Sequence, residues 1–327
     1  MLKSDLSVMD TVQEPETFDP VARQKTKHHQ ILSVQELNAL NARSNWQGFL
    51  YLAGHLTIMG VSGYLWGTHL NRWEIGIPAL VVYGFSFASM FAPMHECVHR
   101  TVFKNNRLND LVGWFAGLLS FYNSTFYRRY HKWHHRYTRI PNKDPELTDL
   151  EPSNIWEYLL VMSGLLWWVD KLRGYFRMAC GQFEGCPYVP EAAQKEVTRS
   201  IRLQLAVYGA GIAVSLFVGQ PWFFLYWLLP LAVGQPFLRF ILLAEHTGCT
   251  KDDNHLSNTR TTLTFWPIRF LMWNMPFHAE HHLYPSIPFH ALPAAHQKLR
   301  EHFTHVEPGY LKVNRQIIET FREHQST

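Results

Sequence analysis

Eight histidines fall into three short clusters with a recurring spacing. They are His95 and His99 in HECVH, His131, His134 and His135 in HKWHH, and His278, His281 and His282 in HAEHH. Because residues three and four apart share one face of a helix, each cluster is expected to direct its imidazoles toward a common point. Imidazole binds iron, zinc and copper, and eight such ligands exceed the four that fill a structural zinc site. The pattern predicts a site for more than one metal ion.

His246 is a ninth candidate ligand, in the segment AEHTG at the predicted end of the last membrane span. It has no motif of its own, but it lies on the same predicted side of the membrane as the three clusters. The other histidines stand apart from the clusters and are interpreted as structural: His28, His29, His55, His69, His255, His290, His296, His302, His305 and His324.

Carboxylates close to the clusters in sequence are candidates to support the metal ligands. They are Glu96, Asp144, Glu146, Glu245 and Glu280. A metal-bound histidine commonly donates its other ring N–H to a carboxylate or carbonyl, which fixes the orientation of the ring. The stretch from Asn258 to Thr262 precedes the last cluster and is a candidate to brace it.

Two long runs without Asp, Glu, Lys or Arg precede the first cluster or end in it, and a third lies between the second and third clusters. They extend from Arg43 to Arg72, from Glu74 to Glu96, and from Arg202 to Arg239. A helix needs about 20 apolar residues to cross a bilayer. The first two runs therefore predict one span each, and the third predicts two if the chain turns at residues 219–221.

The predicted spans cover residues 47–67, 75–95, 203–219 and 221–244, and Pro230 and Pro236 are possible kinks in the last one. Two shorter apolar stretches, 111–127 and 158–169, suit helices that lie in the membrane interface, and a fully inserted pair is the alternative. The predicted fold class is all-α: an integral membrane bundle of about four transmembrane helices, with a cytoplasmic helical cap that holds a histidine-rich site for two metal ions.

Basic residues predict the orientation of this bundle. The connections at 67–73 and 219–221 hold one Arg between them, whereas Arg23, Lys25, Lys27 and the segment 100–199 supply many basic side chains. By the positive-inside rule, both termini and the metal site of this multi-pass membrane protein face the cytoplasm. The net charge of +4 is explained by topology and contact with anionic lipids, so no nucleic-acid partner is predicted.

The start of the chain predicts a flexible arm followed by a short helix. Residues 1–30 are polar, contain Pro15 and Pro20, and show little periodicity, which is typical of a flexible cytoplasmic arm. Ser33 and Glu36 have the spacing of a reciprocal capping box at the start of a helix. The four cysteines, Cys97, Cys180, Cys186 and Cys249, form no CxxC pair and are expected to be free thiols.

The three clusters, in this order and beside paired spans, resemble those of the membrane-bound fatty acid desaturase and hydroxylase superfamily. The resemblance covers roughly residues 45–300 and includes the phrases HRTVFKN, RRYHKWHHRYT and NMPFHAEHHLYPSIP, which are similar to bacterial-type members. The first cluster is HxxxH, one residue shorter than in some acyl-CoA desaturases, which argues against an acyl-CoA substrate. The third cluster begins with His278 in place of Gln, and no HPGG segment is present, unlike in cytochrome-fused front-end desaturases.

This resemblance implies two iron ions as cofactors, with O2 as co-substrate and a fatty-acyl or lipid chain as substrate. It implies as ligands His95, His99, His131, His134, His135, His246, His278, His281 and His282. Electrons would come from a separate donor, such as a ferredoxin or cytochrome b5, on the cytoplasmic face. A basic landing site for it is expected at Arg100, Lys104, Arg107, Arg128, Arg129 and Lys132. The implied domains are an arm (1–30), a desaturase-like membrane and cap domain (31–305) and a cytoplasmic tail (306–327).

The leading hypothesis is an O2-dependent oxidoreductase that introduces a double bond into a lipid chain, and the alternative is a hydroxylase with the same site. A more distant alternative is an intramembrane zinc metalloprotease, because HECVH also satisfies HExxH. That reading leaves both HxxHH clusters without a role. A metal carrier is disfavoured because transport sites lie near the membrane midplane, whereas these histidines follow the predicted span ends.

Overall fold

The computed structural model describes residues 31–323, which are mostly helical. The α-helices are α1 (Val34–Leu40), α2 (Asn45–Thr68), α3 (Trp73–Ala88), α4 (Phe91–Val98), α5 (Asn106–Ser120), α6 (Ser124–Tyr137), α7 (Ile155–Ser163), α8 (Leu165–Ala179), α9 (Glu191–Val218), α10 (Leu229–His246), α11 (Trp266–Leu271), α12 (His278–Leu283), α13 (Leu292–Leu299) and α14 (Tyr310–Glu323). The predicted flexible arm and three histidines (His28, His29 and His324) lie outside the described residues.

Shorter elements connect these helices. The 3-10 turns are Pro145–Thr148, Phe289–Ala291 and Arg300–His302, and a π-helical turn, Phe224–Leu228, precedes α10. The two-residue strands β1 (Thr261–Thr262) and β2 (Val306–Glu307) pair in parallel, with Thr261 opposite Val306. Helix α1 begins with the predicted capping box, in which Ser33 and Glu36 exchange hydrogen bonds.

Three helices are long and apolar enough to cross a membrane: Trp73–Val98, which joins α3 and α4, Glu191–Val218, and Phe224–His246. Helix α2 has 24 residues, a length of about 36 Å, but it is less apolar than the other three. Helix α9 ends at Gly219, which adopts a left-handed conformation with φ of 67°, so the predicted turn at 219–221 is confirmed. The large apolar side chains exposed along α9, such as Phe217 and Leu216, suit contact with lipid.

Two glycines let α3 and α10 cross in direct backbone contact. A Cβ atom at Gly234 would lie 1.9 Å from the carbonyl oxygen of Gly84, and one at Gly84 would lie 2.6 Å from the carbonyl oxygen of Pro230. Small residues at a crossing allow two membrane helices to approach closely and gain packing energy. This crossing fixes the ends of the two helices that carry His95 and His246.

The π-helical turn before α10 is stabilised by side chains of α2 and α3. Pro230 has no N–H, so carbonyl groups one turn earlier lose their helical donor. Tyr83 donates from its hydroxyl to the Tyr226 carbonyl at 2.7 Å, and Trp66 donates from Nε1 to the Leu225 carbonyl at 3.0 Å. Neighbouring helices therefore satisfy the backbone groups that the proline frees.

The two short apolar stretches predicted as interface helices are each interrupted. The first breaks at residues 121–123, where Phe121 has a left-handed φ of 61° and Asn123 caps α6. The second breaks at Gly164, with φ of 72°, between α7 and α8. In both cases a residue with a left-handed backbone conformation ends one helix, and the next helix begins within three residues.

The segment predicted as a cytoplasmic tail contains a helix that packs on the bundle. Asn314 of α14 is buried and donates to the Phe240 carbonyl of α10 at 3.1 Å. The hydroxyl of Tyr158 in α7 donates to the side-chain oxygen of Asn314 at 3.1 Å. These contacts tie α14 to both α7 and α10.

Candidate metal centre

Four elements bring the nine candidate ligands into one buried cluster. His95 and His99 come at the end of α4, the second cluster occupies α6, His246 ends α10, and the third cluster forms most of α12. Their ring nitrogens form two adjacent groups. The imidazoles of His135 and His282 stack between the groups with centroids 4.1 Å apart.

The first group contains five histidines: His95, His99, His131, His135 and His281. One ring nitrogen from each lies within 4.8 Å of those of the others. The Nε2 atom of His135 is 3.0 Å from Nε2 of His131 and 3.1 Å from Nε2 of His281. Two nitrogens bound at about 2.1 Å to one ion, at a right angle, lie about 3 Å apart. The spacing suits ligands of one shared ion.

The second group contains His134, His246 and His282, whose ring nitrogens also lie within 4.8 Å of one another. His278 joins it, because its Nε2 atom is 3.2 Å from Nε2 of His246. All nine candidate ligands therefore lie in one of two adjacent groups, which sequence spacing within each cluster did not reveal.

Hydrogen bonds at Nδ1 turn Nε2 of several rings inward. Nδ1 of His134 lies 2.8 Å from Asp144 Oδ1, and Nδ1 of His95 lies 3.1 Å from Glu96 Oε1. Nδ1 of His246 faces the carbonyl of Asn258 at 3.1 Å. A ring that donates from Nδ1 presents an unprotonated Nε2, which is the form that binds a metal.

The inward nitrogens form groups that could hold a metal ion. Nε2 of His95, His99 and His282 is buried without a hydrogen-bond partner. Buried polar atoms without partners cost free energy, so such a group signals a missing ligand. A set of imidazole nitrogens that converge as lone-pair donors suits divalent iron or zinc.

Of the five supporting carboxylates predicted from sequence, three contact a clustered histidine closely. Glu96 and Asp144 do so through Nδ1, as described above. Glu146 places Oε2 3.4 Å from Nε2 of His134, the side on which a metal would bind. It also belongs to a possible metal-binding group with His131 and His134.

The other two carboxylates are placed differently. Glu245 lies 3.5 Å from Nε2 of His278. Glu280 contacts none of the nine histidines and instead binds His296 and Thr261 within the cap. The Thr261 hydroxyl accepts from the backbone N–H of Ala279 in α12, so the stretch 258–262 does brace the last cluster.

Two supporting hydroxyl groups were missed by the sequence analysis. Thr138 Oγ1 lies 3.2 Å from Nδ1 of His282, and the Tyr127 hydroxyl lies 3.3 Å from Nδ1 of His131. Tyr127 is four residues before His131 on α6, a spacing that could have signalled the contact. The contact of Thr138 with His282 joins distant parts of the chain, and no local pattern predicts it.

Burial controls protonation in most of the cluster. It lowers the pKa of His281 well below its usual range, and the neighbouring imidazoles lower it further. The same two causes act on the pKa values of His131, His135 and His282. For His134, burial also favours the neutral ring, but Glu146 and Asp144 outweigh it and raise the pKa.

HECVH does not have the geometry of a zinc protease in this structure. In that mechanism the Glu of HExxH activates a metal-bound water. Here the Glu96 carboxylate is fully buried and faces Nδ1 of His95, and it also lies 4.0 Å from Nδ1 of His281. Glu96 therefore orients the His95 ring through its Nδ1 atom.

A helical membrane bundle with a buried cluster of histidines defines a membrane metalloenzyme. The family profile described as fatty acid desaturase matches residues 71–314. The chain belongs to the fatty acid desaturase family, and it is a desaturase-like oxidoreductase of lipid chains.

Curated relatives agree with this assignment. The chain is 25% identical to an sn-1 oleoyl-lipid 12-desaturase of Picosynechococcus sp., over 83% of this chain and 80% of that protein. It is 27% identical to a sphingolipid delta(4)-desaturase of Xenopus tropicalis, over 66% of this chain and 62% of that protein. It is 26% identical to the dihydrorhizobitoxine desaturase of Bradyrhizobium elkanii, over 82% and 78% of the two chains.

Proposed function

We propose that the two histidine groups hold two iron ions and that the enzyme introduces a double bond into a fatty-acyl or related lipid chain. The main supporting observation is that nine imidazoles converge in two adjacent groups. Several of these rings have a buried nitrogen without a hydrogen-bond partner. When bound, such iron ions would activate O2, which allows hydrogen to be removed from an unactivated C–H bond. Two electrons come from a separate donor protein.

Other residues of this chain orient the ligand rings and form an apolar surface beside the centre. Glu96, Asp144 and the Asn258 carbonyl hold ligand rings in one tautomer and orientation. Aromatic side chains form an apolar wall beside the centre: the Phe91 ring lies 5.8 Å from that of His95 and the Tyr127 ring 6.3 Å. Such a wall excludes water and suits an alkyl chain. We expect the substrate tunnel along the aromatics of 114–133 and 265–277.

Four spans with a cytoplasmic cap explain the arrangement of the helix ends. The short connections after α2 and α9 lie together, because a Cβ atom at Gly67 would be 2.6 Å from the Tyr226 hydroxyl. At the opposite end, Asn45 of α2 accepts from the backbone N–H of Lys104, which follows the first histidine cluster. We propose α2 as the fourth span and the histidine end as cytoplasmic.

The electron donor is proposed to dock on the basic side chains near α6. Arg100 and Arg128 pair with Asp110, and Arg129 pairs with Glu196, so part of this charge is already compensated. Lys104, Arg107 and Lys132 are exposed. These three side chains remain available to an acidic partner.

The first test is the iron and zinc content of detergent-purified protein, with His134→Ala, His281→Ala and the control His302→Ala. His302 is exposed and outside the cluster. We expect about two irons per chain in the wild type and the control, and a loss in both cluster variants. Mass spectrometry of lipids from expressing cells then distinguishes an alkene (two hydrogens lost) from an alcohol (one oxygen gained). One zinc per chain, retained in both cluster variants, would overturn the proposal.

A further inference from the structure

A polar recess, defined as a group of polar side chains between α8, α10 and the turn that joins α5 to α6, lies near the histidine cluster. It is formed by Tyr122, Trp167, Lys171, Gln235 and Arg239. Neither the metal ligands nor the residues that support them belong to it. Its side chains are mostly hydrogen-bond donors, and several have no acceptor among residues 31–323.

Tyr122 illustrates this excess of donors. Its hydroxyl oxygen accepts from Nε1 of Trp167 and from Nη2 of Arg239, both at 3.0 Å. These two bonds use both lone pairs of the oxygen, so the hydroxyl hydrogen is left to donate. Tyr122 is buried, and within the described chain its O–H finds no acceptor. The Nε atom of Arg239 is likewise buried without a partner.

Lys171 adds a second cation to the recess. Its Nζ atom lies 3.8 Å from the centre of the Tyr122 ring. The Lys171 side chain is half-buried. Four carboxylates act on the two cations at longer range: Glu146 and Asp149 on both, Asp170 on Lys171, and Glu245 on Arg239. None of them forms an ion pair within 4 Å of Lys171 or Arg239 in the described part of the chain.

Gln235 extends the recess along α10. Its side chain is fully buried, and both polar atoms of its amide lack partners. Gln235, Arg239 and His246 lie at intervals of four and seven residues, so they share one face of the helix. The seven residues from Arg239 to His246 correspond to about 10 Å along the helix axis. The recess and the metal centre therefore open toward the same side of α10.

We propose that this recess binds the anionic oxygens of the substrate's polar end, as a carboxylate or a phosphate, with Arg239, Lys171 and the Tyr122 hydroxyl as donors. An oxyanion supplies the acceptors that all three lack, and it compensates two cations that have no close counter-ion. The separation between Arg239 and His246 then sets the distance between the polar end and the carbon that reacts. This inference rests on the proposed function and names the substrate class.

Aromatic rings join the recess to the metal centre. The ring of Phe91 lies 4.7 Å from that of Tyr122 and 5.8 Å from that of His95. Tyr127 makes a second connection, with its ring 5.8 Å from Tyr122 and 6.3 Å from His95. An alkyl chain that starts at the recess would follow these rings to the histidines without crossing a charged surface.

The test is competition binding to the iron-loaded, full-length protein in detergent. The probes are oleate, 1-oleoyl-lysophosphatidate and methyl oleate, which share one alkyl chain but differ in charge. We expect at least one anionic probe to bind about tenfold more tightly than methyl oleate. A preference for oleate identifies a free carboxylate, and a preference for the lysophosphatidate identifies a phosphate headgroup.

Two substitutions test whether Arg239 and Lys171 cause the preference for anionic probes. Arg239→Leu and Lys171→Met should each reduce the difference between anionic and neutral probes to below about threefold. The matched controls Arg202→Leu and Lys195→Met, on α9, should retain it. Lys171→Met lies outside the spans and keeps the test available if Arg239→Leu fails to fold.

Three outcomes would overturn the inference: equal binding of the three probes by the wild type, no binding of any probe, or full discrimination in both recess variants. Because the readout is binding, it does not depend on turnover. Loss of discrimination in the variants with iron content unchanged supports the recess even if no double bond forms. Iron-dependent desaturation without discrimination between anionic and neutral probes would support the proposed function and contradict anion binding at the recess.

Discussion

Single side chains around the histidines decide which ring nitrogen is free to bind a metal. Asp144 shows how: besides the His134 ring, it accepts the backbone N–H groups of Arg139 at 2.7 Å and Glu146 at 3.0 Å. One carboxylate therefore positions a ring and the loop that carries Glu146. Thr138 acts similarly on His282, from the residue that follows the end of α6.

Asp144→Asn should weaken iron binding without removing a ligand. The amide keeps the size of the carboxylate but loses its charge, so His134 is held less firmly in the tautomer that presents Nε2. We expect iron affinity to fall about 10- to 100-fold, measured by chelator competition. Asp253→Asn, at an exposed position, is the control. Equal affinities in the variant, the control and the wild type would contradict this role.

Lowering the pH should remove iron from the histidine group that contains His134 before it removes iron from the other group. The pKa of His134 is raised by Glu146 and Asp144, so in the metal-free protein this ring loses its proton at a higher pH than the others. The pKa values of His135 and His281 are lowered by burial, so these rings stay neutral well below their usual range. Protons therefore compete with the metal at His134 first as pH falls.

The measurement is iron content after equilibration with a weak chelator, from about pH 8 to about pH 5.5. We expect half of the iron to leave at a higher pH than the rest. Asp144→Asn removes one of the charges that raise the pKa of His134. The iron affinity of the variant, taken relative to its own value at about pH 8, should therefore begin to fall at a lower pH than that of the control. A single step that removes all iron, unmoved by the variant, would contradict the assignment.

Among the helices and turns, the crossing of α3 and α10 is the contact on which the site depends most directly. Helix α3 continues into α4, which carries His95, and α10 ends at His246. Gly84 and Gly234 hold α3 and α10 at a backbone-to-backbone distance that no side chain permits. The π-helical turn and its bonds to Tyr83 and Trp66 fix the other end of the same helix pair. Rotation or separation of these helices would move His95 relative to His246.

Gly234→Leu should disrupt this crossing. A side chain there collides with the Gly84 backbone, which has no flexible end to move aside. Overpacking costs about 1–3 kcal/mol or more, so we expect a lower midpoint of thermal unfolding and reduced iron content. Gly209→Leu in α9 is the control, because nothing lies within 4 Å of its Cβ position. Equal unfolding midpoints for the two variants would show that the crossing tolerates a side chain.

The whole molecule combines a lipid-exposed bundle with a buried metal centre at one end. Apolar side chains are exposed along α9 and α2, whereas most of the clustered histidines are buried. Both short connections lie at the opposite end of the bundle. The centre would thus receive electrons from one side of the membrane and its lipid substrate from within it.

Cysteine labelling tests this orientation. In intact expressing cells, a membrane-impermeant maleimide should label Asn71→Cys and Gln220→Cys, which lie in the short connections. The native Cys180, which is exposed after α8, should react only after the cells are made permeable. Labelling of Cys180 alone in intact cells would reverse the proposed orientation, and labelling of only one connection would contradict four spans.

Sequence alone determined the features that depend on neighbouring residues. The three- and four-residue spacing of the histidines placed them on shared helix faces, Ser33 and Glu36 defined a capping box, and Gly219 marked a turn between two apolar runs. These patterns are local, because capping and helical periodicity act over one or two turns.

The tertiary structure alone decided which distant groups meet. Helix α9 begins at Glu191, well before the predicted 203, because its early turns bury Ala193, Val197 and Ile201 and need no long apolar run; the helix packs on α6 and α8. The division of nine histidines into two groups, the approach of Glu146 to His134, and the recess at Arg239 all join residues far apart in sequence. Such pairings follow from packing and from the satisfaction of buried polar groups across elements, which no local pattern specifies.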